Sequence, residues 1–319
     1  MNNHQTIPNM DRAAWLAAMD SRAAHAPVPG YAMYSSLTGG ITTDPVLMSV
    51  PVDDHLVHRG DGVFETMKCV AGKIYNAEAH LARLERSASG IGLVSRWTRG
   101  EWTALIAATL RVADRPDALI RLLLARGPGS MGVNPYDCAS PQCYIVVFPL
   151  PVPFMRRRPE GAHIGFSRVP PKPPPLADIK HCNYLPNALM AKEARDRGLD
   201  FMIGCDGAGH LLEGPTENVA AINQQGELII YDAPELLLGT TLARLRQLVM
   251  PLVADKTLTG VRNWPLARGD LGTAREVWIC GTSHDLVAVT RIEGQPVADG
   301  RPGPVYALAA DLLAADIRA

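Results

Sequence analysis

The sequence lacks several features that would place it in a common class of protein. Its 31 lysines and arginines nearly balance its 32 aspartates and glutamates, so the net charge of −1 gives no electrostatic reason to bind nucleic acid or an anionic membrane. No apolar run reaches the length of a transmembrane helix, and the polar start, Met1 to Thr6, lacks the apolar core of a signal peptide. These absences predict a cytoplasmic protein whose partners are neither nucleic acids nor membranes.

Two further absences concern cysteine and histidine. The six cysteines form no CxxC pair and no dense framework, which predicts reduced thiols. The nine histidines are scattered and form no HExxH motif, so we expect no metal site. What is present is a chain of 319 residues, 47% of them hydrophobic, which is long enough for one large or two modest cored domains.

A proline-rich segment marks the predicted domain boundary. The clearest linker is Pro149–Pro159, in which prolines alternate with apolar residues and arginines. We therefore divide the chain into four parts: an N-terminal helical arm (1–30), a small domain (31–152), a linker (153–160) and a large domain (161–319). Helix and strand patterns occur in both domains, which predicts a mixed α/β (α+β) fold, and a cleft between two domains is a usual place for a ligand.

Lys180 lies in a short apolar stretch between a proline run and a predicted helix. The run Pro170–Pro175 cannot be helix interior, whereas Asn187–Arg197 followed by Gly198 has the pattern of a helix with a glycine stop. A lysine held among apolar neighbours loses hydration of its charge, so its pKa falls from about 10.4 and its neutral amine can condense with an aldehyde. The stretch alone also fits an ordinary surface lysine, because lysine is rarely buried.

A second stretch, about thirty residues downstream, bears on this choice. Glu213 directly follows Leu211 and Leu212 and precedes the tight turn that begins at Gly214. A buried carboxylate needs a cationic partner, and a protonated pyridine nitrogen would be one.

These stretches resemble the class IV pyridoxal-phosphate aminotransferases. The matching motifs are I-K-H-x-N at 179–183, E-G-x-x-x-N at 213–218, H-x-x-R-L at 80–84 and G-D-G at 60–62. The resemblance runs from about residue 33 to about residue 300. It implies fold type IV, with a small N-terminal α/β domain and a larger, β-barrel-like C-terminal domain. The family contains D-amino-acid aminotransferases, branched-chain aminotransferases and aminodeoxychorismate lyases.

The resemblance implies pyridoxal 5'-phosphate as the cofactor and gives roles to individual residues. Lys180 would be the catalytic residue, holding the cofactor as a Schiff base and carrying the proton, and Glu213 would keep the ring nitrogen protonated. The other implied cofactor-binding residues are Arg83, Leu237, Thr240, Thr241 and Thr282. This chain reads G-T-T-L at 239–242 where the family reads G-I-T-R, so Thr241 is a better-matched phosphate ligand than Thr240.

Two of these positions suit a phosphate on physical grounds as well. His80 and Arg83 lie three apart on the predicted helix Ala77–Ser89, and the planar guanidinium fork suits a phosphate dianion. A glycine turn opens a helix at Thr240 and Thr241, where free N–H groups and hydroxyls form an anion site. Each feature taken alone also fits an ordinary solvated arginine or N-cap threonine.

The predicted substrate pocket involves the strand that follows G-D-G. Phe64, Thr66 and Lys68 share one face of this strand by its period of two, although the pattern alone also fits a plain hairpin. Because this strand lines the pocket in the family, the predicted pocket residues are Phe64, Thr66, Lys68, Arg59, Tyr184 and Met131. Family D-amino-acid enzymes hold the substrate carboxylate with an R-x-H pair that this chain lacks at 130–133, so Arg59 and Lys68 are candidates for that task.

Local patterns predict further elements: a helix over 77–89 capped by Asn76, a capping box at Thr98–Glu101 before a second helix, and strands at 118–125 and 142–148. The loop at 127–132, just after the first of these strands, reads G-P-G-S-M-G, a literal GxGxxG. A dinucleotide fingerprint needs a helix after the glycines, and Val133-Asn134-Pro135-Tyr136 predicts none. We therefore interpret this loop as an edge of the pocket and expect no nucleotide site.

The motifs predict an aminotransferase that moves an amino group between an amino acid and a 2-oxo acid, with D-amino acids and branched-chain amino acids as candidate donors. Two alternatives stay open: an aminodeoxychorismate lyase, which can share the lysine motif, and a non-enzymatic relic that binds the cofactor or only dimerises. Glu65 favours transamination, and intact Lys180 and Glu213 argue against a relic. The resemblance also implies a homodimer in which the loop 126–135 reaches the neighbour's pocket.

Overall fold

The computed structural model describes residues 7–25 and 30–319. Within them the chain forms two β-sheets, the first from its N-terminal half and the second from its C-terminal half. The first sheet is antiparallel throughout, with the strand order β2-β1-β6-β5-β3-β4. Its strands are β1 Ala32–Ser35, β2 Gly40–Thr42, β3 Gly62–Val70, β4 Lys73–Ile74, β5 Ala118–Ala125 and β6 Gln142–Phe148. The strands predicted at 118–125 and 142–148 are therefore confirmed.

Alternation along β3 separates the two faces of the first sheet. Val63 and Met67 are fully buried in a core formed with helices α3 (Ala77–Gly90) and α4 (Arg99–Ala113). Phe64 and Thr66 point to the opposite face. The sheet therefore uses one face for its core and leaves the other for a cavity.

The second sheet has eight strands in the path β11-β10-β9-β12-β13-β7-β8, with β14 paired to β13. They are β7 Ala162–Phe166, β8 Phe201–Ile203, β9 Asn218–Ile222, β10 Glu227–Ile230, β11 Gly260–Asn263, β12 Glu276–Gly281, β13 Asp285–Ile292 and β14 Gln295–Pro296. The sheet mixes antiparallel pairs with parallel pairs at β10·β11, β13·β7 and β7·β8. Helices α7 (Thr240–Leu248) and α10 (Pro304–Arg318) pack on it through the core around Trp278.

The mixed α/β fold is confirmed, but the prediction of a β-barrel-like second domain is wrong in one respect. Within the described residues the edge strands β11 and β8 do not pair with each other, so the sheet stays open. Beyond β8 the chain forms isolated bridges, Cys205↔Leu211 and His210↔Ala267, instead of a continuous ladder. Because the turns around 206–209 interrupt this edge, it cannot supply the run of backbone hydrogen bonds that closure requires.

The remaining helices are short and connect or flank the sheets. They are α1 Arg12–His25, α2 His55–Arg59, α5 Phe154–Arg157, α6 Leu185–Asp196, α8 Met250–Ala254 and α9 Arg268–Thr273, with a 3₁₀ turn at Pro135–Asp137. The predicted capping box of α4 is confirmed, since Thr98 and Glu101 exchange both hydrogen bonds. Asn76 is the N-cap of α3, as predicted, but its side chain makes no capping hydrogen bond: Asn76 has φ of 56° and its Nδ2 donates to Thr240 O instead.

The N-terminal arm predicted for 1–30 is seen in part. Helix α1 falls within it, while residues 1–6 and 26–29 lie outside the described residues. Segment 149–161 connects the two sheets and contains α5, whose Phe154 is buried. None of the helices in the described part of the chain has the length and apolarity needed to cross a membrane.

Candidate active site

A cavity of about 340 Å³ lies between the open face of the first sheet and loops of the second. The first sheet supplies one wall, made of Phe64, Thr66, Leu119, Arg121 and Phe148. The other walls come from four places: the stretch around Lys180, the segment 213–218, the turn at 237–241 and the turn at 281–283. Residues far apart in sequence therefore converge on one space of the size that small-molecule sites have.

Lys180 enters this cavity from a strand-like stretch that pairs with β3. Phe64 N donates to Lys180 O at 3.0 Å, and Cys182 N donates to Gly62 O at 2.8 Å. Lys180 N in turn donates to Ser87 Oγ on α3 at 3.1 Å. The prediction of a short extended piece before a helix is confirmed, and these backbone bonds fix where the lysine side chain starts.

The Lys180 amine faces aromatic rings instead of a counter-charge. Its Nζ lies 4.7 Å from the centre of the Phe64 ring and 5.7 Å from that of Tyr184. Burial, with the nearby Arg83 charge, lowers the pKa of Lys180 to about 8. No carboxylate of the described residues forms an ion pair with it. Near neutral pH a usable fraction of this amine is therefore unprotonated and nucleophilic.

Arg83 is held in place by a fully buried carboxylate, that of Glu65 on β3. Arg83 Nε donates to Glu65 Oε1 at 2.7 Å, and Nη2 donates to Oε2 at 2.8 Å. Burial would raise the pKa of Glu65, but the Arg83 charge and its two hydrogen bonds outweigh burial and lower this pKa to about 2. Glu65 is thus a carboxylate at every physiological pH, and it orients the guanidinium while leaving Nη1 uncommitted to it.

His80 extends this network to helix α7. Its Nδ1 lies 2.7 Å from Glu65 Oε2, and its Nε2 lies 3.1 Å from Thr240 Oγ1. Burial lowers the pKa of His80, which favours the neutral ring. Because a carboxylate only accepts, Nδ1 carries the proton and Nε2 accepts from the Thr240 hydroxyl. The Thr240 hydroxyl proton is therefore already used, and that of Thr241 is not used by this network.

The start of α7 is shaped as an anion site. Gly239 is its N-cap, and no side chain of the described residues caps the helix there. Asn218 fixes the turn, since its Oδ1 accepts from Gly239 N at 2.7 Å and its Nδ2 donates to Leu237 O at 2.9 Å. A Cβ at Gly239 would lie 2.2 Å from Asn218 Oδ1, so only glycine fits. The first N–H groups of α7 therefore point toward the cavity with the positive end of the helix dipole.

Glu213 lies at another side of the cavity and already has a cation beside it. Lys172 Nζ is 2.9 Å from Glu213 Oε1, and Leu237 N donates to Oε2 at 3.3 Å. The partner expected for this carboxylate from the sequence was a ring nitrogen alone. The proline run supplies a lysine as well.

The structure brings together some of the predicted pocket residues and separates others. Phe64, Thr66 and Tyr184 line the cavity, with the Phe64 and Tyr184 rings edge to face at 5.1 Å. The described residues that line the cavity do not include Lys68, because its Nζ is paired with Asp285. They do not include Met131, which is 59% exposed, nor Arg59, whose guanidinium donates to carbonyls of residues 58, 131 and 132.

Arg121 is a charged cavity residue that sequence reasoning missed. Its guanidinium lies 4.8 Å from the Phe64 ring centre and 5.8 Å from that of Phe148. Its buried Nε has no hydrogen-bond partner in the part of the chain that the structure describes, and burial lowers its pKa. A signal did exist: Arg121 is the one charge in the apolar strand 118–125, and it pairs with Thr66, which was placed on the pocket face.

These groups fit pyridoxal 5'-phosphate. The start of α7, the turn at Gly281 and Arg83 supply donors for a phosphate, Lys180 supplies an amine for the aldehyde, and Glu213 supplies a carboxylate for a ring nitrogen. At both turns a Cβ would strike backbone or a fixed side chain, 2.2 Å away at Gly239 and 2.8 Å away at Gly281. The backbone therefore approaches the cavity closely, as binding of a phosphate by N–H groups requires.

Comparison with known proteins agrees with this assembly. The family model described as amino-transferase class IV matches residues 62–292. The chain is 34% identical over 288 residues to the chloroplastic D-amino-acid transaminase of Arabidopsis thaliana, covering 90% of this chain and 76% of that one. The branched-chain amino acid aminotransferase of Escherichia coli superimposes with a TM-score of 0.78 at 26% identity, covering 88% of this chain and 92% of that one.

A second solved structure supports the fold alone. The branched-chain aminotransferase of the archaeon Thermoproteus uzoniensis, solved with norvaline, has a TM-score of 0.78 at 22% identity. The match covers 90% of this chain and 94% of that one, so both sheets have counterparts there.

Proposed function

Because this chain belongs to the class IV aminotransferases and is a transaminase, we propose that pyridoxal 5'-phosphate binds in the cavity at Lys180 and that an α-amino acid donates its amino group there to a 2-oxo acid. The observation that carries the proposal is one amine without a counter-charge, set between an anion-binding helix start and a carboxylate. Of the candidate donors we place D-amino acids first, since a D-amino-acid transaminase is 34% identical to this chain.

When bound, pyridoxal 5'-phosphate supplies an aldehyde that takes up the amino group and a ring that accepts the electrons left when the donor's Cα loses its proton. Lys180 is the residue that would bind the cofactor covalently. Once an amino donor takes its place, the neutral Lys180 amine would remove the Cα proton and deliver it to C4′, the carbon of the former aldehyde, so that the amino group can stay behind when the 2-oxo acid leaves. A pKa of about 8 suits both directions of this transfer, because the amine is close to half protonated at mildly basic pH.

The other residues hold the cofactor at its two ends. Arg83 and Thr241, with the N–H groups at the start of α7 and Thr282 at the opposite turn, would bind the phosphate. Glu213 would face the ring nitrogen and favour its protonated form, because an anion beside the ring stabilises a positive charge there. Leu237, which also lines the cavity, would pack on the ring.

Arg121 takes the task of holding the donor's carboxylate in this proposal. It replaces the R-x-H pair that the chain lacks, and it lines the cavity from the first sheet, whereas the two proposed phosphate-binding turns come from the second part of the chain. The partnerless Nε makes a carboxylate a good fit, since a buried donor without an acceptor is costly. The aromatic rings on both sides of the guanidinium keep its plane fixed for two parallel hydrogen bonds.

The test is a panel of D- and L-amino acids, branched-chain ones included, in half-reactions followed by cofactor absorbance. For the best donor we expect Arg121→Met to lower kcat/KM by about a hundredfold, equivalent to roughly 2.7 kcal/mol of lost binding in the transition state. Arg111→Met, at an exposed position of α4, is the matched control and should have no effect. A full rate in Arg121→Met would remove this residue from the substrate site.

The lyase alternative is separated by a different requirement. A transaminase needs a 2-oxo acid to complete its cycle, whereas a lyase splits aminodeoxychorismate without one. Multiple turnovers of an amino acid that depend on added 2-oxo acid support the proposal. Release of aminobenzoate without any 2-oxo acid would overturn it.

We also propose that the chain forms a homodimer. The loop between β5 and β6 exposes Met131, Val133 and Tyr136, which are 59%, 79% and 93% exposed. Apolar side chains clustered on one loop favour burial against another surface. Sedimentation at assay concentration tests this, and a fully active monomer would refute it.

A further inference from the structure

The turn between β12 and β13 brings Gly281, Thr282 and Ser283 to the cavity. The turn closes the β12–β13 hairpin, in which Gly281 pairs with Asp285, and its own hydrogen bond runs from His284 N to Gly281 O at 3.2 Å. At its end Asp285 has φ of 61°, a left-handed conformation that costs most residues energy and that aspartate tolerates better than most. A contact that fixes Asp285 from outside the hairpin therefore helps to hold this turn in one position.

Lys68 supplies such a hold from the other sheet. It lies on β3, 217 residues away in sequence, and its Nζ forms an ion pair with Asp285 Oδ1. The lysine side chain is only 4% exposed, while that of Asp285 is 25% exposed. A buried ammonium is costly without a carboxylate beside it, so the pair of Lys68 with Asp285 is favoured over a buried Lys68 charge alone. The pair therefore ties the turn to the first sheet.

We infer that Lys68 is a positioning residue for the cofactor phosphate, acting through Asp285 on the Thr282 turn. The inference rests on the proposed function, because it takes the Thr282 turn to be a phosphate contact. Lys68 itself lies outside the cavity lining described above, so it acts by fixing the N–H and hydroxyl groups of the turn.

A second contact, made by His284, holds the same turn to its own sheet. His284 Nε2 lies 3.3 Å from Glu217 Oε1, and its ring packs against Phe201 at 5.3 Å. This contact keeps the turn attached when the Lys68 pair is removed. Loss of the pair should therefore loosen the position of Thr282 without detaching the turn from its sheet.

The experiment compares two ligands of the apo full-length chain by titration calorimetry: pyridoxine 5'-phosphate and pyridoxine. Neither has an aldehyde, so Lys180 cannot react with them, and the ratio of their affinities isolates the phosphate contacts. We expect Lys68→Met to weaken the phosphorylated ligand about tenfold and to change pyridoxine less than twofold. Lys73→Met is the matched control, because Lys73 is an exposed lysine on the neighbouring strand β4.

Asp285→Asn keeps the inference testable if Lys68→Met folds poorly. Asparagine accepts a positive φ, so this variant removes the charge of the pair without changing the turn's backbone preference. It should lower the same affinity ratio. Because both substitutions break one pair, the double variant should lower this ratio no further than the single variant with the lower ratio does. An unchanged ratio in a folded Asp285→Asn protein would overturn the inference.

Failure of the proposed function has a different signature. If the wild-type chain binds both ligands equally, the cavity does not recognise the phosphate at all, and the proposed function fails together with the inference. If the wild type prefers the phosphorylated ligand and neither variant alters that preference, only the role of Lys68 fails.

Discussion

Helices α7 and α10 begin in opposite ways. At the start of α10, Glu276 accepts hydrogen bonds from Val305 N at 2.9 Å and from Tyr306 N at 2.7 Å, and it also accepts from Trp278 Nε1 at 3.0 Å. The carboxylate is 7% exposed and packs so closely that a Cβ at Gly303 would lie 2.2 Å from Glu276 Cδ. This helix start contains its own anion, supplied by a neighbouring strand.

The start of α7 has the same donors and no such anion. Its N-cap is Gly239, no side chain of the described residues caps it, and Thr240 and Thr241 line the cavity. Both helix starts carry the same partial positive charge, so they differ in which group supplies the negative charge beside it. The chain supplies it at α10, and at α7 it leaves the place free, which is where we propose that the cofactor phosphate binds.

We expect the largest effect when the anion at the start of α10 is removed. Glu276→Ala leaves two backbone donors and the Trp278 Nε1 donor buried without an acceptor. We expect a loss of about 3 kcal/mol in the free energy of unfolding, measured by urea denaturation. Cofactor affinity of the folded protein should not change. Glu235→Ala, at an exposed glutamate, should leave stability within about 0.5 kcal/mol, and an equal loss in both variants would contradict this account of α10.

A smaller effect follows from giving α7 the anion that α10 already has. Thr241→Asp places a carboxylate at the helix start, where it competes with a phosphate dianion and repels it. We expect cofactor affinity to fall about a hundredfold, near 2.7 kcal/mol, while the apo protein gains up to about 1 kcal/mol of stability. Thr241→Val controls for the lost hydroxyl and should cost much less affinity. Unchanged affinity in Thr241→Asp would mean that the phosphate lies elsewhere.

A third prediction concerns a side chain whose positive charge has no carboxylate partner, that of Lys180. Lys180 has its pKa lowered to about 8 in the folded protein, against 10.5 when unfolded. Between these values the unfolded chain binds the extra proton, so stability of the apo protein should rise as pH increases from 8 to 10.5. Below pH 8 both states are protonated and the full cost is present. Subtracting the pH profile of Lys180→Met isolates this slope, and a falling difference would refute the lowered pKa.

Local signals in the sequence predicted most of the backbone and part of the site. The glycine stop and proline run around Lys180 predicted an extended piece before a helix, and the Thr98–Glu101 box predicted a helix start. Both depend on residues within a few positions of each other. The side-chain cap expected from Asn76 is absent because the contact it makes is not local: its side chain donates to Thr240 O, 164 residues away, and not to its own helix.

Contacts between residues far apart in sequence could not be predicted from these local signals. Periodicity placed Lys68 on the pocket face with Phe64 and Thr66, yet its partner Asp285 belongs to another sheet. Arg121 shows the opposite error: its strand was recognised, but only the register with Thr66 shows that it faces the cavity. A period of two tells which residues share a face, and tertiary contacts decide what that face meets.

The pairing of the Lys180 stretch with β3 has a consequence for the time at which the reactive amine forms. Residues 32–148 can complete the first sheet while the chain is still being made, but the lysine docks only after residue 180 has followed. A nascent chain thus carries an ordinary protonated lysine, and the amine becomes reactive toward aldehydes only when the pocket that selects among them has closed around it.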